Sequence, residues 1–190
     1  MQKIRLGMVG GGQGAFIGAV HRAAAGLDGQ YDLVAGAFSR NPENNLATAS
    51  QLCISEDRAY SSWEALIEGE LKLPENQRVQ AIAVVTPNHL HVPVTKTALE
   101  AGFNVFCEKP LANNLAEARA MADAVRNAGV KSMVAYNYRR VPAVALAKKL
   151  IEEGRIGDIY HWRAVYLQDW IMDPNFPLVW RLQKEKAGSG

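Results

Sequence analysis

Residues 4–18 read IRLGMVGGGQGAFIG, a short apolar run that leads directly into closely spaced glycines. Gly10, Gly12 and Ala15 fit the G-x-G-x-x-G/A spacing that joins the first strand and first helix of a β-α-β unit. Glycine at the first two positions permits a tight turn close to a pyrophosphate, and the helix N-terminus offers unpaired N–H groups to the phosphates. The stretch predicts a dinucleotide-binding site, with a plain glycine-rich turn as the alternative.

The rest of the chain alternates short apolar runs with helical patterns. The runs predict strands over residues 3–9, 32–38, 79–86, 103–107 and 132–136, and the patterns predict helices over residues 21–27, 43–52, 63–67, 92–101, 115–128 and 144–153. Because the runs are continuously apolar rather than alternating, they are typical of a parallel sheet with helices on both faces. The order of elements predicts an α/β protein with a doubly wound, parallel Rossmann sheet.

The pattern changes near residue 156. Residues 159–170 read IYHWRAVYLQDW, an aromatic and partly alternating stretch that predicts a strand of an antiparallel sheet with one exposed face. We therefore predict a dinucleotide-binding domain over residues 1–154 and the start of a second, incomplete domain over residues 155–190. The residues after the boundary are too few to close a core of their own.

Composition argues against several classes of function. The 190 residues carry a net charge of +2 without a basic face, so no nucleic-acid partner is expected. The longest apolar runs, such as residues 81–85, are too short to span a bilayer, and the N-terminus lacks the pattern of a signal peptide. The two cysteines, Cys53 and Cys107, lie far apart, which suggests neither a disulfide framework nor a metal site. A reduced, cytoplasmic protein is the simplest interpretation.

The end of the second predicted strand bears on the choice of dinucleotide. In NAD-preferring sites an acidic residue about 20 residues after the glycines usually binds the ribose hydroxyls. Asp32 has roughly that spacing, but it begins the strand, which is the wrong end for a ligand. Ser39 and Arg40 follow the strand, where a hydroxyl and a guanidinium suit a 2′-phosphate. We expect NADP, or use of both cofactors; a solvated arginine that stacks on adenine and tolerates either is the alternative.

Polar residues also follow the third predicted strand. Thr86, Pro87 and Asn88 come after an apolar run, at the strand end where open α/β sheets bind ligands. His89 and His91 are two residues apart, a spacing that does not suit metal binding from one helix face, so no metal is expected. On this interpretation His91 is a structural or helix-start residue.

Glu108 and Lys109 follow the fourth predicted strand. A lysine beside a nicotinamide can hold a substrate hydroxyl and help its deprotonation as hydride leaves. Partial burial would favour the neutral amine that this role needs. A surface ion pair between Glu108 and Lys109 is the alternative.

Together these motifs resemble the glucose–fructose oxidoreductase / inositol dehydrogenase / MocA (Gfo/Idh/MocA) family. The resemblance covers essentially the whole chain. It rests on the glycine-rich opening with His21-Arg22, on Thr86-Pro87-Asn88-x-x-His91, on Glu108-Lys109-Pro110, on YNYRR at residues 136–140 and on YLQDW at residues 166–170. Several independent motifs thus occur in the family's order.

The resemblance implies an NAD(P)-dependent dehydrogenase that passes hydride between a nicotinamide and a hydroxyl-bearing carbon of a sugar, inositol or related polyol. It implies Lys109 as the catalytic residue, Glu108 as a contact to a cofactor ribose, and a Lys109–Pro110 peptide bond that is often cis. The expected cofactor contacts, from the residues and the resemblance together, are Gly10, Gly12, Gly14, Ala15, Phe16, Ile17, Ser39, Arg40, Thr86, Pro87, Asn88, His91, Glu108, Lys109 and Asn137. The implied substrate contacts are Lys109, Arg139, Gln168, Asp169, Trp170, Trp180 and Arg181, with packing between domains as the alternative for both tryptophans.

One departure from the family's pattern bears on activity. The family carries an Asp and a His early in an α+β second domain, which also makes the oligomer interface, and this sequence stops about where that motif begins. The chain therefore resembles an N-terminal fragment of an enzyme that is expected to be a homo-oligomer. The alternatives are a dinucleotide-binding module without turnover and a Rossmann-like protein for another nucleotide-containing ligand, such as S-adenosylmethionine. Glu108-Lys109-Pro110 and Arg40 argue against the last.

Overall fold

The computed structural model describes residues 2–188 and shows a five-stranded parallel sheet. The strands are β1 (Ile4–Gly10), β2 (Tyr31–Ala37), β3 (Ala81–Val85), β4 (Asn104–Cys107) and β5 (Ser132–Val134). Their order is β2-β1-β3-β4-β5, so the strand order reverses between β1 and β3. Doubly wound sheets bind ligands at that reversal, outside the carboxyl ends of the strands. The predicted α/β Rossmann class is confirmed.

Helices connect these strands and continue beyond them. The α-helices of the described residues are α1 (Phe16–Gly26), α2 (Pro42–Gln51), α3 (Trp63–Lys72), α4 (His91–Glu100), α5 (Leu115–Ala128), α6 (Pro142–Glu152) and α7 (Lys184–Ala187). Short 3-10 turns occupy Glu56–Arg58, Asn88–Leu90, Asn137–Arg140 and Trp180–Leu182. Three α-helices are each preceded by a residue whose side chain accepts a hydrogen bond from an N–H of the first turn, namely Asn41 before α2, Ser62 before α3 and Asn114 before α5.

The core lies on both faces of the sheet, and β3 shows why its sequence is continuously apolar. Ile82 and Val84 are buried on one face, in a cluster with Leu66 of α3. Ala83 and Val85 are buried on the other face, in a cluster that includes Met8 and Phe38. A central strand with both faces covered has no position for a polar side chain, so the alternation typical of half-exposed strands is absent.

A buried carboxylate joins α3 to the sheet. Glu70 has no exposed surface and receives four hydrogen bonds. Arg58 donates two through Nε and Nη2, each 2.8 Å long, the Tyr60 hydroxyl donates one of 3.0 Å, and the Val79 N–H donates one of 2.8 Å. Burial is the larger cause, and the negative charge of Glu70 the next, of a pKa of Tyr60 that is raised to about 12. The carboxylate is therefore fully satisfied by its neighbours.

The strand predicted over residues 159–170 is wrong. The structure assigns no strand there, and every residue of the stretch is exposed, including Trp162 and Leu167. A strand exists through hydrogen bonds to a neighbouring strand, and within residues 2–188 no strand lies beside this stretch. In the same described range, no helix combines the length and the apolar character needed to cross a membrane.

Candidate functional site

The candidate site residues follow the strands at one edge of the sheet. Gly10 ends β1, Ser39 follows β2, Thr86 follows β3, Glu108 follows β4 and Asn137 follows β5. Because all the strands are parallel, the loops after them lie at the same carboxyl edge. The fold thus brings separate sequence signals to one place.

The first loop depends on glycine at two close contacts. Gly10 has a φ of +86°, and a Cβ atom there would lie 2.8 Å from the Val85 carbonyl oxygen of the neighbouring strand. A Cβ atom on Gly18, in α1, would lie 2.4 Å from the Cα atom of Gly11. Backbone therefore packs directly on backbone. The spacing rule places the third small residue at Ala15, but the close approach belongs to Gly18, the last glycine of the opening stretch, because the loop is longer than the fingerprint.

The N-terminus of α1 presents backbone N–H donors that no side chain caps. Ala15 precedes the helix, and its side chain makes no capping hydrogen bond. The first turn also contains no acidic residue. The backbone N–H groups of this turn, which includes Phe16 and Ile17, are therefore suited to bind an anion. The positive end of the helix dipole also attracts negative charge. This arrangement fits the pyrophosphate of a dinucleotide.

Side chains from α1 and α2 hold the glycine loop in shape. The Gln13 N–H donates to Thr48 Oγ1 at 3.0 Å, and Asn44 Nδ2 donates to the Gln13 carbonyl oxygen at 3.0 Å. Arg22 Nη1 donates to the Gly11 carbonyl oxygen at 2.8 Å. No local sequence pattern marks Asn44 and Thr48, because α2 packs against a loop some thirty residues earlier in the chain.

The end of β2 carries the residues predicted to select the dinucleotide. Asp32 lies near the start of β2, opposite Arg5 in the register, and therefore at the amino edge of the sheet. Ser39 and Arg40 follow the carboxyl end of β2. Ser39 Oγ accepts the Asn41 N–H at 3.1 Å, and Arg40 is exposed. The structure thus places Ser39 and Arg40, rather than Asp32, at the edge that holds the glycine loop.

The loop after β3 contains a buried hydroxyl group without a partner. Within residues 2–188, Thr86 Oγ1 is buried and makes no hydrogen bond. Such groups are rare in folded proteins. Asn88 is also buried, and its Nδ2 donates to the Ala187 carbonyl oxygen at 2.9 Å. The last described helix therefore lies against this loop.

His91 joins two loops of the site rather than facing a ligand. Its ring is buried, with Nδ1 2.7 Å from the Pro110 carbonyl oxygen and Nε2 2.9 Å from the Thr86 carbonyl oxygen. Carbonyl oxygens only accept, so both hydrogen bonds form together only when both ring nitrogens carry a proton. Direct contact between His91 and a cofactor does not fit this burial, and the structural, helix-start interpretation agrees with its position as the first residue of α4.

Glu108 and Lys109 differ in their surroundings. Glu108 is buried, and its carboxylate lies 2.8 Å from His21 Nε2 and accepts the Lys109 N–H at 3.0 Å. Burial acts to raise the pKa of Glu108, but the hydrogen bond and charge of His21, with the N–H and charge of Lys109, bring that pKa below its ordinary value. The Lys109 side chain is exposed, so the partial burial expected for it is not found. The Lys109–Pro110 peptide bond is cis, as the resemblance implies.

The surface ion pair considered for these two residues is absent from the described structure. Glu108 pairs with His21 instead, and Lys109 contributes its backbone N–H rather than its amine. His21 was part of a motif in the sequence, but a partner 87 residues away leaves no local signal.

The predicted substrate contacts lie on the loop after β5 and in the segment after α6. The Tyr138 and Tyr166 hydroxyl oxygens are 2.9 Å apart, and Gln168 Nε2 donates to Tyr166 at 3.0 Å, which links the two regions. The Arg181 guanidinium lies 4.6 Å from the centre of the Trp180 ring. The other predicted contacts, Arg139, Asp169 and Trp170, are exposed. Within residues 2–188 none of these side chains hydrogen-bonds to Lys109.

An apolar cleft of about 280 Å³ lies elsewhere, between α4, α5, β4 and β5. Its lining includes Thr95, Met121 and Met133 and none of the residues of the glycine loop. A long dinucleotide lies across the edge of an open sheet rather than inside such a cavity. The loops at the carboxyl edge, not this cleft, form the candidate site.

The parallel sheet, the glycine loop and the polar strand ends define a dinucleotide-binding domain of the Rossmann class. Residues 4–136 match the family model described as oxidoreductase family, NAD-binding Rossmann fold, and residues 144–190 match the Gfo/Idh/MocA C-terminal domain. The chain belongs to the Gfo/Idh/MocA family of oxidoreductases.

Its relatives include sugar and polyol dehydrogenases. Levoglucosan dehydrogenase from Pseudarthrobacter phenanthrenivorans is 42% identical over 197 residues, which cover 100% of this chain and 47% of that protein. A structure of levoglucosan dehydrogenase in complex with NADH and L-sorbose is 41% identical, with a TM-score of 0.82 over 99% of this chain and 48% of that one. An inositol dehydrogenase homolog from Azotobacter vinelandii, complexed with NADH and myo-inositol, is 38% identical, with a TM-score of 0.79 over 83% of this chain and 41% of that one. The chain spans about half the length of these relatives.

Proposed function

We propose that the chain binds a nicotinamide dinucleotide at the carboxyl edge of its sheet, as the cofactor-binding part of an NAD(P)-dependent dehydrogenase. The observation that carries the proposal is the glycine loop, which packs backbone on backbone and leads into a helix N-terminus without a side-chain cap. The Glu108 carboxylate, which is buried but keeps some exposed surface, adds a polar group for the nicotinamide half. When bound, the dinucleotide supplies hydride transfer at C4 of its nicotinamide.

Lys109 is the proposed catalytic residue. Its backbone follows the buried Glu108, and its side chain is exposed at the edge where a substrate would meet the nicotinamide. The amine would hold the substrate hydroxyl and, once deprotonated, would accept its proton while the adjoining C–H bond yields its hydride to the nicotinamide, which converts the alcohol to a carbonyl. Exposure places the amine within reach of solvent, so water can carry the proton away after each turnover.

The proposed substrate is a sugar, an anhydrosugar or an inositol. The relatives' names and complexes support this class, because they include levoglucosan, L-sorbose and myo-inositol. Polar and aromatic residues of the loop after β5 and of the segment after α6 would bind its hydroxyl groups and ring faces. The candidates are Arg139, Gln168, Asp169, Trp170, Trp180 and Arg181.

For the cofactor we propose that both dinucleotides bind, with Arg40 favouring NADPH. Arg40 is exposed at the carboxyl end of β2, beside the Ser39 hydroxyl, which suits a 2′-phosphate. The structures of relatives named above hold NADH. An exposed guanidinium is compatible with either, because it can pair with a phosphate or stack on adenine.

We further propose a domain boundary near residue 154, two residues after α6 ends. Residues 155–190 would begin a domain for substrate binding and for assembly of the whole protein as a homo-oligomer. The match of residues 144–190 to the C-terminal domain of the family supports a second domain in this part of the chain, and that match begins within α6, earlier than the proposed boundary.

A fluorescence titration of the purified chain with NADH, and separately with NADPH, tests the proposal. We expect nicotinamide emission to change saturably with both, and Arg40→Ala to weaken NADPH more than NADH. Asn44→Asp offers a contrast, because it places a negative charge against the Gln13 carbonyl oxygen of the glycine loop and should weaken both. Failure of the folded wild-type chain to bind either dinucleotide would contradict the proposal.

A further inference from the structure

A histidine of α1 contacts the carboxylate that follows β4. His21 Nε2 lies 2.8 Å from Glu108 Oε1, and Glu108 Oε2 accepts the Lys109 N–H at 3.0 Å. The His21 ring packs edge-on against Phe106, with 5.3 Å between ring centres, which restricts its orientation. A carboxylate only accepts, so Nε2 carries the proton. Each oxygen of Glu108 is therefore held by one donor.

The hydrogen bond between His21 and Glu108 is largely shielded from water. The side chains of His21 and Glu108 are 13% and 11% exposed. An ionised carboxylate that is largely removed from water depends on its remaining donors, and the loss of one costs more than at an exposed site. His21 therefore favours the ionised form of Glu108 and selects one orientation of its carboxylate.

The pair leaves acceptor capacity on Glu108 for a ligand. An ionised carboxylate has about four acceptor positions. Within residues 2–188 the donors to this carboxylate are His21 Nε2 and the Lys109 N–H. The positions that remain can accept hydroxyl groups, and the carboxylate retains some exposed surface through which a ligand can reach it.

We propose that His21 is a positioning residue for the dinucleotide: it orients the Glu108 carboxylate to accept hydroxyl groups of the cofactor ribose. The inference rests on the proposed function and adds a residue of α1 to those that set the geometry beside Lys109. His21 acts through Glu108 rather than through the ligand. Another side chain that presents an N–H at the same reach should therefore replace it.

Three variants and a control test this inference in the whole 190-residue chain. His21→Phe keeps an aromatic ring against Phe106 but removes the donor, and His21→Gln restores an amide donor at similar reach. Glu108→Gln removes the charge that His21 holds. His161→Phe makes the same substitution at an exposed histidine of the segment after α6 and serves as the matched control.

The readout is the dissociation constant for NADH, with thermal unfolding measured for each variant. We expect His21→Phe to weaken binding about tenfold, the size of a lost hydrogen bond to a charged group. His21→Gln should lie within about threefold of wild type, and His161→Phe should match wild type. In the Glu108→Gln background, His21→Phe should raise the dissociation constant by less than twofold, because the negative charge that His21 contacts is no longer present.

Each outcome separates the inference from the proposed function. If wild type binds NADH and His21→Phe binds equally well, the inference fails while the proposed function stands. The same conclusion follows if His21→Gln binds as weakly as His21→Phe. If the folded wild-type chain binds no dinucleotide, both fail. Should His21→Phe not fold, His21→Met, which also lacks an N–H donor, replaces it in the same comparisons.

Discussion

The sheet with its covering helices and the segment after β5 both contain large apolar residues, but only the sheet region buries them. All the buried side chains of the described structure lie before residue 136, and from residue 136 to residue 188 none is buried. Helix α6 is amphipathic in sequence, yet none of its residues is buried. Apolar residues such as Leu167 and Tyr160 are 87% and 93% exposed. An apolar pattern therefore produces burial only where another element supplies the opposing surface.

The largest effect should come from the buried carboxylate of the sheet region. Glu70→Ala leaves the Arg58 guanidinium and the Val79 N–H without their partner. We expect the free energy of unfolding to fall by about 3–5 kcal/mol, the cost of breaking a buried ion pair. Urea unfolding followed by circular dichroism measures it. Glu68→Ala, at an exposed position of the same helix, is the control, and an equal loss there would contradict the account.

A pair of leucine substitutions tests the contrast between the two regions directly. Leu66 has no exposed surface, whereas Leu167 is 87% exposed. Leu66→Ala should lower the free energy of unfolding by about 2–5 kcal/mol, because it leaves a cavity in the core. Leu167→Ala should change it by less than about 0.5 kcal/mol. Comparable losses in urea unfolding would show that the segment after α6 is packed in solution.

Two glycines of α1 offer a matched test of the glycine loop. A Cβ atom on Gly18 would lie 2.4 Å from the Gly11 Cα atom, whereas a Cβ atom on Gly26 would meet nothing within 4 Å. Gly18→Ala should displace the loop and weaken NADH binding at least about tenfold, which corresponds to roughly 1.4 kcal/mol. Gly26→Ala should leave the dissociation constant unchanged. Equal NADH affinities of Gly18→Ala and Gly26→Ala would show that the glycine loop does not bind the dinucleotide.

The smallest predicted effect is a pH dependence of stability. The pKa of Glu108 in the folded chain lies below its ordinary value of about 4.3, chiefly because His21 and Lys109 outweigh the effect of burial. A depressed pKa means that the ionised form stabilises the fold above the unfolded-state value, and that this contribution is lost as the pH falls through the folded-state value. Wild type should therefore lose more stability than Glu108→Gln between pH 5 and acid pH, in unfolding curves measured at each pH. Identical slopes would contradict the assignment.

Much of the fold could be predicted because its signals are local. Continuous apolar runs mark buried parallel strands, and the polar residues after Val85 and Cys107 mark strand ends. The strand predicted over residues 159–170 failed for the opposite reason, since a strand needs a neighbour that sequence alone cannot supply. Its alternating aromatic pattern indicates that the stretch could form a strand, but it does not show that a neighbouring strand is present.

The candidate site was predictable at its strand ends but not in the contacts that support them. Gly18, His21 and Thr48 act on partners that chain folding brings together, and a single sequence holds no record of such distances. Lys109 shows the reverse case. Its place after β4 follows from the sequence, but its exposure depends on the packing of the loop around it.

The most direct test of the central claim, that the carboxyl edge of the sheet binds the dinucleotide, is an amide ¹⁵N–¹H NMR titration of the chain with NADH. The account predicts saturable shifts of residues 10–18, 39–40, 86, 88 and 108–109, in the loops after β1, β2, β3 and β4. Residues 75–80, which lie beside Arg5 at the amino edge of the sheet, should stay unperturbed. Shifts confined to the apolar cleft between α5 and β5, or to residues 155–188, would contradict it.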